Sequence, residues 1–225
     1  MDRTRFIQAL ESLGIRLDSG EIERFEAFEE ALYQSNEVMN LTRVPREECW
    51  LRHFVDSLLF QDLVPTTSSV LDIGTGPGFP AWPLACARPD LRITALDSSG
   101  KMLSFLKSQP LPNLEVVQAR AEDWGVRDRF DVVTGRAVAP LAVQLEISAP
   151  CARVGGIVLP MRTPLERKDI EGFPASKLGL RIMDMVERLL PETDVVRLFA
   201  VFEKVANTPA DYPRSWAEIK RQPIS

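Results

Sequence analysis

The chain has 225 residues, 45% of them hydrophobic, and carries 27 basic against 32 acidic side chains, for a net charge of −5. This hydrophobic content argues against a disordered chain, and the length suits one large α/β domain with an added segment. The acidic balance argues against a broadly basic nucleic-acid-binding protein, so any RNA contact has to depend on a local basic surface.

Neither the first residues nor the cysteines indicate export, membrane insertion or metal binding. The chain begins without a charged leader followed by an apolar core, and no apolar run approaches the roughly 20 residues that span a bilayer. Cys49, Cys86 and Cys151 are odd in number, widely spaced and without a CxxC pair, which argues against a disulfide framework and a zinc site. We therefore expect a cytoplasmic protein with three buried thiols and no metal centre.

Residues 1–65 are predicted to form a helical N-terminal cap. A first apolar stripe is stopped by Gly14, and Asp18 with Glu21 offers a capping box for a second helix. A third helix is predicted from about Pro45. Its apolar face consists of Trp50, Leu51, Phe54, Val55, Leu58 and Leu59.

Two polar residues of the third predicted helix are candidates for a functional site. His53 and Asp56 lie three residues apart, so they share one face of the helix and could hydrogen-bond to one another. The alternative is a helix-surface pair that orients the cap.

Residues 66–225 alternate between short apolar runs and helical patterns, which is typical of a doubly wound sheet. Strands are predicted near 69–74, 91–97, 114–119, 130–135, 155–160, 181–188 and 195–204, and helices near 80–88, 99–108, 140–151 and 164–171. The pattern predicts an α/β, Rossmann-like domain with seven mostly parallel strands.

A glycine-rich loop follows the first of these strands. Gly74, Gly76 and Gly78 turn the chain from a buried strand into a helix that begins near Pro80. Because glycine has no Cβ, it permits positive φ and lets a ligand approach the backbone amides. The loop predicts a nucleotide-type site, although dinucleotide enzymes, methyltransferases and some structural turns all use such loops.

Two acidic residues narrow the choice of cofactor. Asp97 ends the second strand, 19 residues after Gly78, at the distance where a carboxylate meets ribose hydroxyls. The alternative is that Asp97 caps the next helix. Asp72, inside the first strand, departs from the nicotinamide fingerprint and favours S-adenosylmethionine.

The ends of strands three and four supply further candidates. Glu122 and Asp123 follow strand three, where they could contact an adenine or be solvated turn acids. Arg136 follows strand four and is expected to project into the cleft, where its guanidinium could hold a phosphate, a guanine edge or a carboxylate. The alternative is a structural ion pair of Arg136 with Asp97 or Glu122.

Taken in chain order, these motifs resemble the GidB (RsmG) family, the bacterial 16S ribosomal RNA guanine-N7 methyltransferases. The matching segments are Asn40-Leu41-Thr42, Arg52-His53-Phe54-Val55-Asp56-Ser57, Asp72 to Pro80, Leu96-Asp97-Ser98 and Thr134 to Ala137. The resemblance covers nearly the whole chain. It implies a Rossmann-like methyltransferase fold, S-adenosylmethionine as cofactor, and methylation of N7 of a guanine in the decoding-region loop of the small-subunit RNA.

The resemblance also implies roles for individual residues. It places cofactor contacts at Gly74, Phe79, Ala121, Glu122 and Arg136. With the loop glycines Gly76 and Gly78 and the strand-two acid Asp97, these are the predicted cofactor-binding residues. The residues implied in activity or RNA placement are Asn40, His53, Asp56, Arg120 and Arg136.

The chain departs from the family pattern where RNA contacts are expected. The family usually has Lys-Gly after strand five, where Met161 and Arg162 stand, so Arg162 is a candidate for the missing charge. The tail after Tyr212-Pro213-Arg214 lacks the usual run of basic residues. The division of roles among the arginines near the cleft stays open.

The implied reaction fits a site without an evident general base. Guanine N7 carries an in-plane lone pair and no proton, so methyl transfer needs alignment more than proton removal. The expected partner is 16S ribosomal RNA within the small subunit or an assembly intermediate, and a monomer is expected. Two alternatives are a nicotinamide oxidoreductase and a non-catalytic RNA-binding ribosome-assembly factor that retains the cofactor fold.

Overall fold

Seven strands form one sheet in the computed structural model, which describes all 225 residues. In chain order they are β1 (Ser69–Ile73), β2 (Arg92–Asp97), β3 (Leu114–Gln118), β4 (Phe130–Arg136), β5 (Ala152–Arg162), β6 (Leu180–Leu189) and β7 (Val196–Lys204). Their order across the sheet is β3-β2-β1-β4-β5-β7-β6. Strand β7 runs antiparallel to both neighbours, and the other pairs are parallel. The predicted seven-stranded, mostly parallel sheet is confirmed.

Eight α-helices accompany the sheet. They are α1 (Arg3–Ser12), α2 (Ser19–Met39), α3 (Asp56–Leu58), α4 (Ala81–Ala87), α5 (Gly100–Lys107), α6 (Leu141–Ser148), α7 (Arg167–Gly172) and α8 (Trp216–Arg221). The predicted capping box of Asp18 and Glu21 closes the start of α2. None of the helical segments combines the length and the hydrophobicity of a membrane span.

The third predicted helix is wrong in type, although its apolar face is buried as expected. Arg46–Glu48 forms a short 3-10 helix, Trp50–Val55 is π-helical, and α3 adds a single α turn. The prediction assumed a repeat of 3.6 residues, whereas a π-helix has a wider turn. In this segment both His53 and Asp56 are buried, at 7% and 2% exposure.

The N-terminal helix α2 packs against α4 and α5, two of the helices that accompany the sheet. The Phe28 ring of α2 lies 4.2 Å from the Trp82 ring of α4 and 5.3 Å from the Phe105 ring of α5. Phe25 and Phe54 stand edge to face at 4.9 Å, an arrangement that aromatic pairs prefer. These rings belong to one continuous hydrophobic core. The division of the chain at residue 65 stays a prediction.

The topology places a crevice beside β1. Strand β1 pairs with β2 on one side and with β4 on the other, while α4 packs in one core and α6 in the core on the opposite face. The connections therefore diverge at the carboxyl ends of β1 and β4, where open α/β sheets bind ligands.

Candidate active site

Two pockets open at the carboxyl ends of the central strands, and Ala137 lines both of them. Their volumes are about 300 Å³ and about 360 Å³. Ala137 follows β4 with a φ of 53°, a left-handed conformation that is uncommon for alanine. A ligand in the first pocket and one in the second can therefore meet at this turn.

The first pocket combines apolar walls with the two acids Asp97 and Glu122 and with Arg120. Its apolar lining includes Ile73, Leu96, Ala119, Ala121, Val138, Ile147 and Trp216. Gly74 has a φ of +71°, and a Cβ there would lie only 3.1 Å from the Val138 side chain, so glycine is required. Asp97 stands at the polar edge. The volume and this lining fit an adenosine group such as that of S-adenosylmethionine.

Asp97 fastens the glycine-rich loop to the end of β2. Its carboxylate accepts hydrogen bonds from the backbone N–H of Gly76 and of Ser99, both at 2.8 Å. The side chain that caps α5 is Ser99, not Asp97. A carboxylate has about four lone-pair sites, so Asp97 retains acceptor capacity for ribose hydroxyls. Ribose binding by Asp97 stays a prediction.

The residues after β3 line the first pocket rather than the second. The Arg120 Nε donates to Glu122 Oε1 at 2.6 Å, and the Arg120 guanidinium lies 5.3 Å from the Trp216 ring. The Glu122 side chain is 5% exposed and that of Asp123 is 72% exposed, so only Asp123 is a solvated turn acid. The structure thus separates Arg120 from Arg136, although both are predicted to act in catalysis.

The second pocket is basic although the chain is acidic. Four guanidinium groups line it against two carboxylates, and these residues are Arg52, Arg136, Arg162, Arg197, Asp56 and Glu166. Arg136 Nη1 donates to Asp56 at 3.0 Å, and Arg197 Nε donates to the other Asp56 oxygen at 2.7 Å. The alternative that Arg136 pairs with Asp97 or Glu122 is wrong. The buried carboxylate beside Arg136 is that of Asp56, which comes from the N-terminal segment.

His53 contacts Arg136 through a ring nitrogen and helps to hold it in place. The His53 ring stacks on the Phe79 ring at 4.1 Å and an interplanar angle of 3°. Its Nδ1 lies 3.2 Å from Arg136 Nη2, and its Nε2 lies 2.7 Å from Thr42 Oγ1. Because a guanidinium only donates, Nδ1 must accept, and Nε2 then carries the proton donated to Thr42. The predicted His53–Asp56 hydrogen bond is absent, since Arg136 bridges the two residues.

The imidazole of His53 is neutral at physiological pH. Burial, followed by the charges of Arg136 and Arg52, lowers the pKa of His53 to about 3. Both ring nitrogens are already hydrogen-bonded. His53 is therefore placed to orient Arg136 rather than to exchange protons with a substrate.

Several predicted site residues line neither pocket. Asn40 is exposed and ends α2 with a φ of 50°, while the Phe79 ring is buried in the aromatic core. Gly76 and Gly78 shape the loop without lining either pocket. Any contact between Phe79 and a cofactor would therefore come from its backbone. The functional roles of these residues stay predictions.

Sequence reasoning missed Arg197 and Trp216, which line the second and first pockets. Both approach the site from elements far along the chain, so no local spacing could indicate them. Thr42 lay within a quoted motif, but its bond to His53 became visible only in the structure.

Four further titratable groups are buried in the core, the three cysteine thiols and Asp72 of β1. The three cysteines are free and buried, as predicted, and burial raises the pKa of each thiol to about 12. Asp72 is 1% exposed and accepts a hydrogen bond from the Ala81 N–H at 3.2 Å. Burial raises the pKa of Asp72 to about 7.

The sheet order, the acidic residue at the edge of the switch-point pocket and the basic pocket beside it are the features expected of a Rossmann-like, S-adenosylmethionine-dependent methyltransferase. The family model described as "GidB: rRNA small subunit methyltransferase G" matches residues 21–186, and the chain belongs to this family. Membership confirms the resemblance read from the motifs. It also confirms that the protein is an enzyme with S-adenosylmethionine as cofactor.

Curated relatives match along nearly their full length. The chain is 34% identical over 99% of its length to the ribosomal RNA small subunit methyltransferase G of Lachnoclostridium phytofermentans, covering 98% of that protein. It is 37% identical over 97% of its length to the protein of the same name from Caldanaerobacter subterraneus subsp. tengcongensis, covering 96% of it.

Solved structures support the fold. The structure of M. jannaschii TYW2 in complex with AdoMet aligns with a TM-score of 0.52 at 20% identity, over 66% of this chain and 74% of that one. At this level of identity the similarity concerns the fold alone, and it confirms the Rossmann-like methyltransferase architecture.

Proposed function

We propose that this enzyme transfers a methyl group from S-adenosylmethionine to N7 of a guanine in the decoding-region loop of 16S ribosomal RNA. The observation that carries the proposal is the junction of the two pockets at Ala137, one suited to a nucleoside and the other lined by four arginines. The names of the relatives point to small-subunit ribosomal RNA. The substrate is proposed to be RNA within the small subunit or an assembly intermediate, and the enzyme to act as a monomer.

The second pocket offers no free general base, which favours N7 as the methyl acceptor. Both nitrogens of His53 are hydrogen-bonded and its pKa is about 3. Asp56 is held by two arginines, and Glu166, the other carboxylate of the pocket, pairs with Arg162 Nε at 3.1 Å. An acceptor that loses a proton on methylation would benefit from a base. Guanine N7 has no proton, so alignment suffices.

The arginines of the second pocket have distinguishable tasks in this proposal. Arg136 is fixed by Asp56, His53 and the backbone carbonyl of Arg52 at 3.1 Å, so it is proposed to hold the guanine through its O6 edge. Arg162 is 7% exposed, and its Nη2 has no hydrogen-bond partner. We assign Arg162 to an RNA phosphate, because phosphate contacts position a nucleic acid.

The chain's contribution to the reaction is orientation and charge. When bound, S-adenosylmethionine supplies a methyl group on a positively charged sulfur. Asp97 and Gly74 are proposed to hold the nucleoside end of this cofactor, and Arg136 is proposed to hold the base in line. Fixing two reactants in a reactive geometry can supply most of the rate enhancement.

The test is transfer of labelled methyl to small subunits that lack this methylation, and to naked 16S ribosomal RNA, with the modified atom mapped. Wild-type enzyme is expected to label one guanine N7. Arg136→Ala is expected to lower the rate on the order of 10²-fold, the typical cost of removing one preorganised donor. Arg136→Lys, which keeps the charge, checks that the loss is not simply misfolding.

Arg181→Ala serves as the matched control, because Arg181 is 68% exposed and pairs with Glu203 at the far end of β6. It should keep the wild-type rate. A label on another atom, or full activity of Arg136→Ala, would contradict the proposal. Tight binding of S-adenosylhomocysteine without labelling of either substrate would favour the binding-only alternative.

A further inference from the structure

The C-terminal segment, residues 205–225, is anchored on α6 by a buried ion pair. Arg214 donates from Nε to Glu146 Oε1 at 2.8 Å and from Nη2 to Glu146 Oε2 at 2.6 Å. The Arg214 backbone N–H donates to the same carboxylate at 3.0 Å. Glu146 is fully buried. A bidentate pair of this kind fixes both position and orientation.

Two further attachments hold the same segment. The Arg127 guanidinium donates to the backbone carbonyls of Thr208 at 2.6 Å and Tyr212 at 2.7 Å. Ile219 of α8 is fully buried in the core on this face of the sheet. The segment is therefore part of the folded body and can form a fixed wall of a site.

Trp216 is the one residue of this segment that lines the first pocket. Ile147, which follows the anchoring Glu146 on α6, lines the same pocket. The Trp216 ring also lies 5.3 Å from the guanidinium of Arg120, at the end of β3. The indole, which also has Lys220 Nζ at 5.6 Å from its ring, therefore lies beside the part of the pocket formed by the β3 loop, where apolar alanines stand beside the polar pair of Arg120 and Glu122.

We propose that Trp216 forms the outer wall of an adenine subsite, and that the Arg214–Glu146 ion pair holds Trp216 in place. The inference rests on the proposed function in taking S-adenosylmethionine as the ligand of the first pocket. A flat, apolar aromatic ring is suited to bind a purine. Aromatic side chains bury a large area at little conformational cost, and bases stack on the faces of aromatic rings. The C-terminal segment then contributes to cofactor affinity.

The experiment measures binding of two ligands by calorimetry. One is S-adenosylhomocysteine, and the other is 5′-methylthioadenosine, which keeps the adenine and ribose but lacks the amino acid. Trp216→Ala is expected to weaken both about ten-fold, within the range found when a base loses its aromatic contact. Trp216→Phe, which keeps an aromatic wall, should stay within about three-fold of wild type. Arg221→Ala, an exposed position on the same helix, is the control and should bind as wild type.

Three outcomes would overturn the inference. In the first, Trp216→Ala binds both ligands as wild type does. In the second, Trp216→Ala weakens only the binding of S-adenosylhomocysteine, which would place the indole at the amino-acid end of the cofactor. Equal losses in Trp216→Ala and Trp216→Phe would show that the ring is not the determinant. In each case methyl transfer by wild-type enzyme still reports on the proposed function separately. If wild type binds neither ligand, the proposed function fails first.

Discussion

His53 and Arg136 share a hydrogen bond that determines the state of the imidazole. The guanidinium can only donate, so His53 has to accept at Nδ1 and cannot be protonated there without losing the bond. The positive charge beside it and its burial act in the same direction on its pKa. A histidine that the motif implies in activity or RNA placement is thus fixed as a neutral support of Arg136.

We predict that His53 does not titrate between pH 8 and pH 5. It is the one histidine of the chain, so its imidazole resonance can be followed by NMR without overlap. The pKa of about 3 in the folded protein lies below the ordinary value of 6.5. The folded state should therefore show a constant chemical shift across this range, whereas the unfolded chain should titrate near 6.5. A midpoint above about pH 5 in the folded protein would contradict the assigned hydrogen bonds.

The same pKa difference predicts a loss of stability as pH falls. Between about pH 6.5 and pH 3 the unfolded state binds a proton that the folded state does not, so the free energy of unfolding decreases towards low pH. Asp72 acts in the opposite direction, because its raised pKa of about 7 favours the folded state at low pH. The His53 contribution therefore has to be measured as the difference between wild type and His53→Gln. This difference should shrink by about 2 kcal/mol between pH 8 and pH 5.

At the scale of elements, the turn between α2 and the π-helical segment positions the support of Arg136. Asn36 Oδ1 accepts hydrogen bonds from the backbone N–H of Leu41 at 2.6 Å and of Thr42 at 2.8 Å. Thr42 Oγ1 in turn accepts from His53 Nε2 and from the Val44 N–H at 3.1 Å. One amide side chain therefore holds the loop that fixes the imidazole.

We predict that Asn36→Ala lowers the free energy of unfolding by about 1–3 kcal/mol, because two backbone donors lose their acceptor. Methyl transfer should fall while affinity for S-adenosylhomocysteine stays unchanged, since the first pocket is not touched. Asn36→Asp keeps the acceptor oxygen and should behave closer to wild type. Gln34→Ala, which removes only an exposed bond to Glu30, is the control. Unchanged activity of Asn36→Ala would show that the turn is not needed to position His53.

The sequence was sufficient for those elements whose signals are local. Buried strands read as short apolar runs between turn residues, and β1 with its glycine loop is within a few residues of the prediction. The π-helical geometry of Trp50–Val55 was not predictable, because an apolar face is compatible with more than one helical repeat. Helix α8 was missed because six residues give too short a period.

In the candidate site, too, only the residues with local sequence signals were predictable. Gly74 and Asp97 come from consecutive strands with a known spacing, and the structure brings them to one pocket. The Asp56–Arg197 pair joins residues 141 positions apart, so no spacing could reveal it. Trp216 reaches the first pocket because the Arg214–Glu146 pair, the Arg127 hydrogen bonds and buried Ile219 hold the C-terminal segment on the folded body.

For the whole molecule, the distribution of charge matters more than its sum. The chain carries a net charge of −5, but guanidinium groups outnumber carboxylates in the second pocket. Acidic surface elsewhere would repel RNA, whereas this pocket attracts it locally. The proposed RNA contact is therefore small and confined, in contrast to that of a protein with a broad basic surface.

We predict a shallow salt dependence for binding to naked 16S ribosomal RNA. With Arg136 assigned to the base, the other three arginines of the second pocket allow about three phosphate contacts. The slope of log affinity against log salt should then be about −2, at about −0.7 per contact with single-stranded RNA. Arg162→Met should reduce the steepness by about 0.7. Arg167→Met, which removes a half-exposed partner of Glu187 nearby, should leave the slope unchanged. A slope steeper than about −5 would reveal a second basic surface and contradict a contact confined to this pocket, because each released counterion reports one neutralised phosphate.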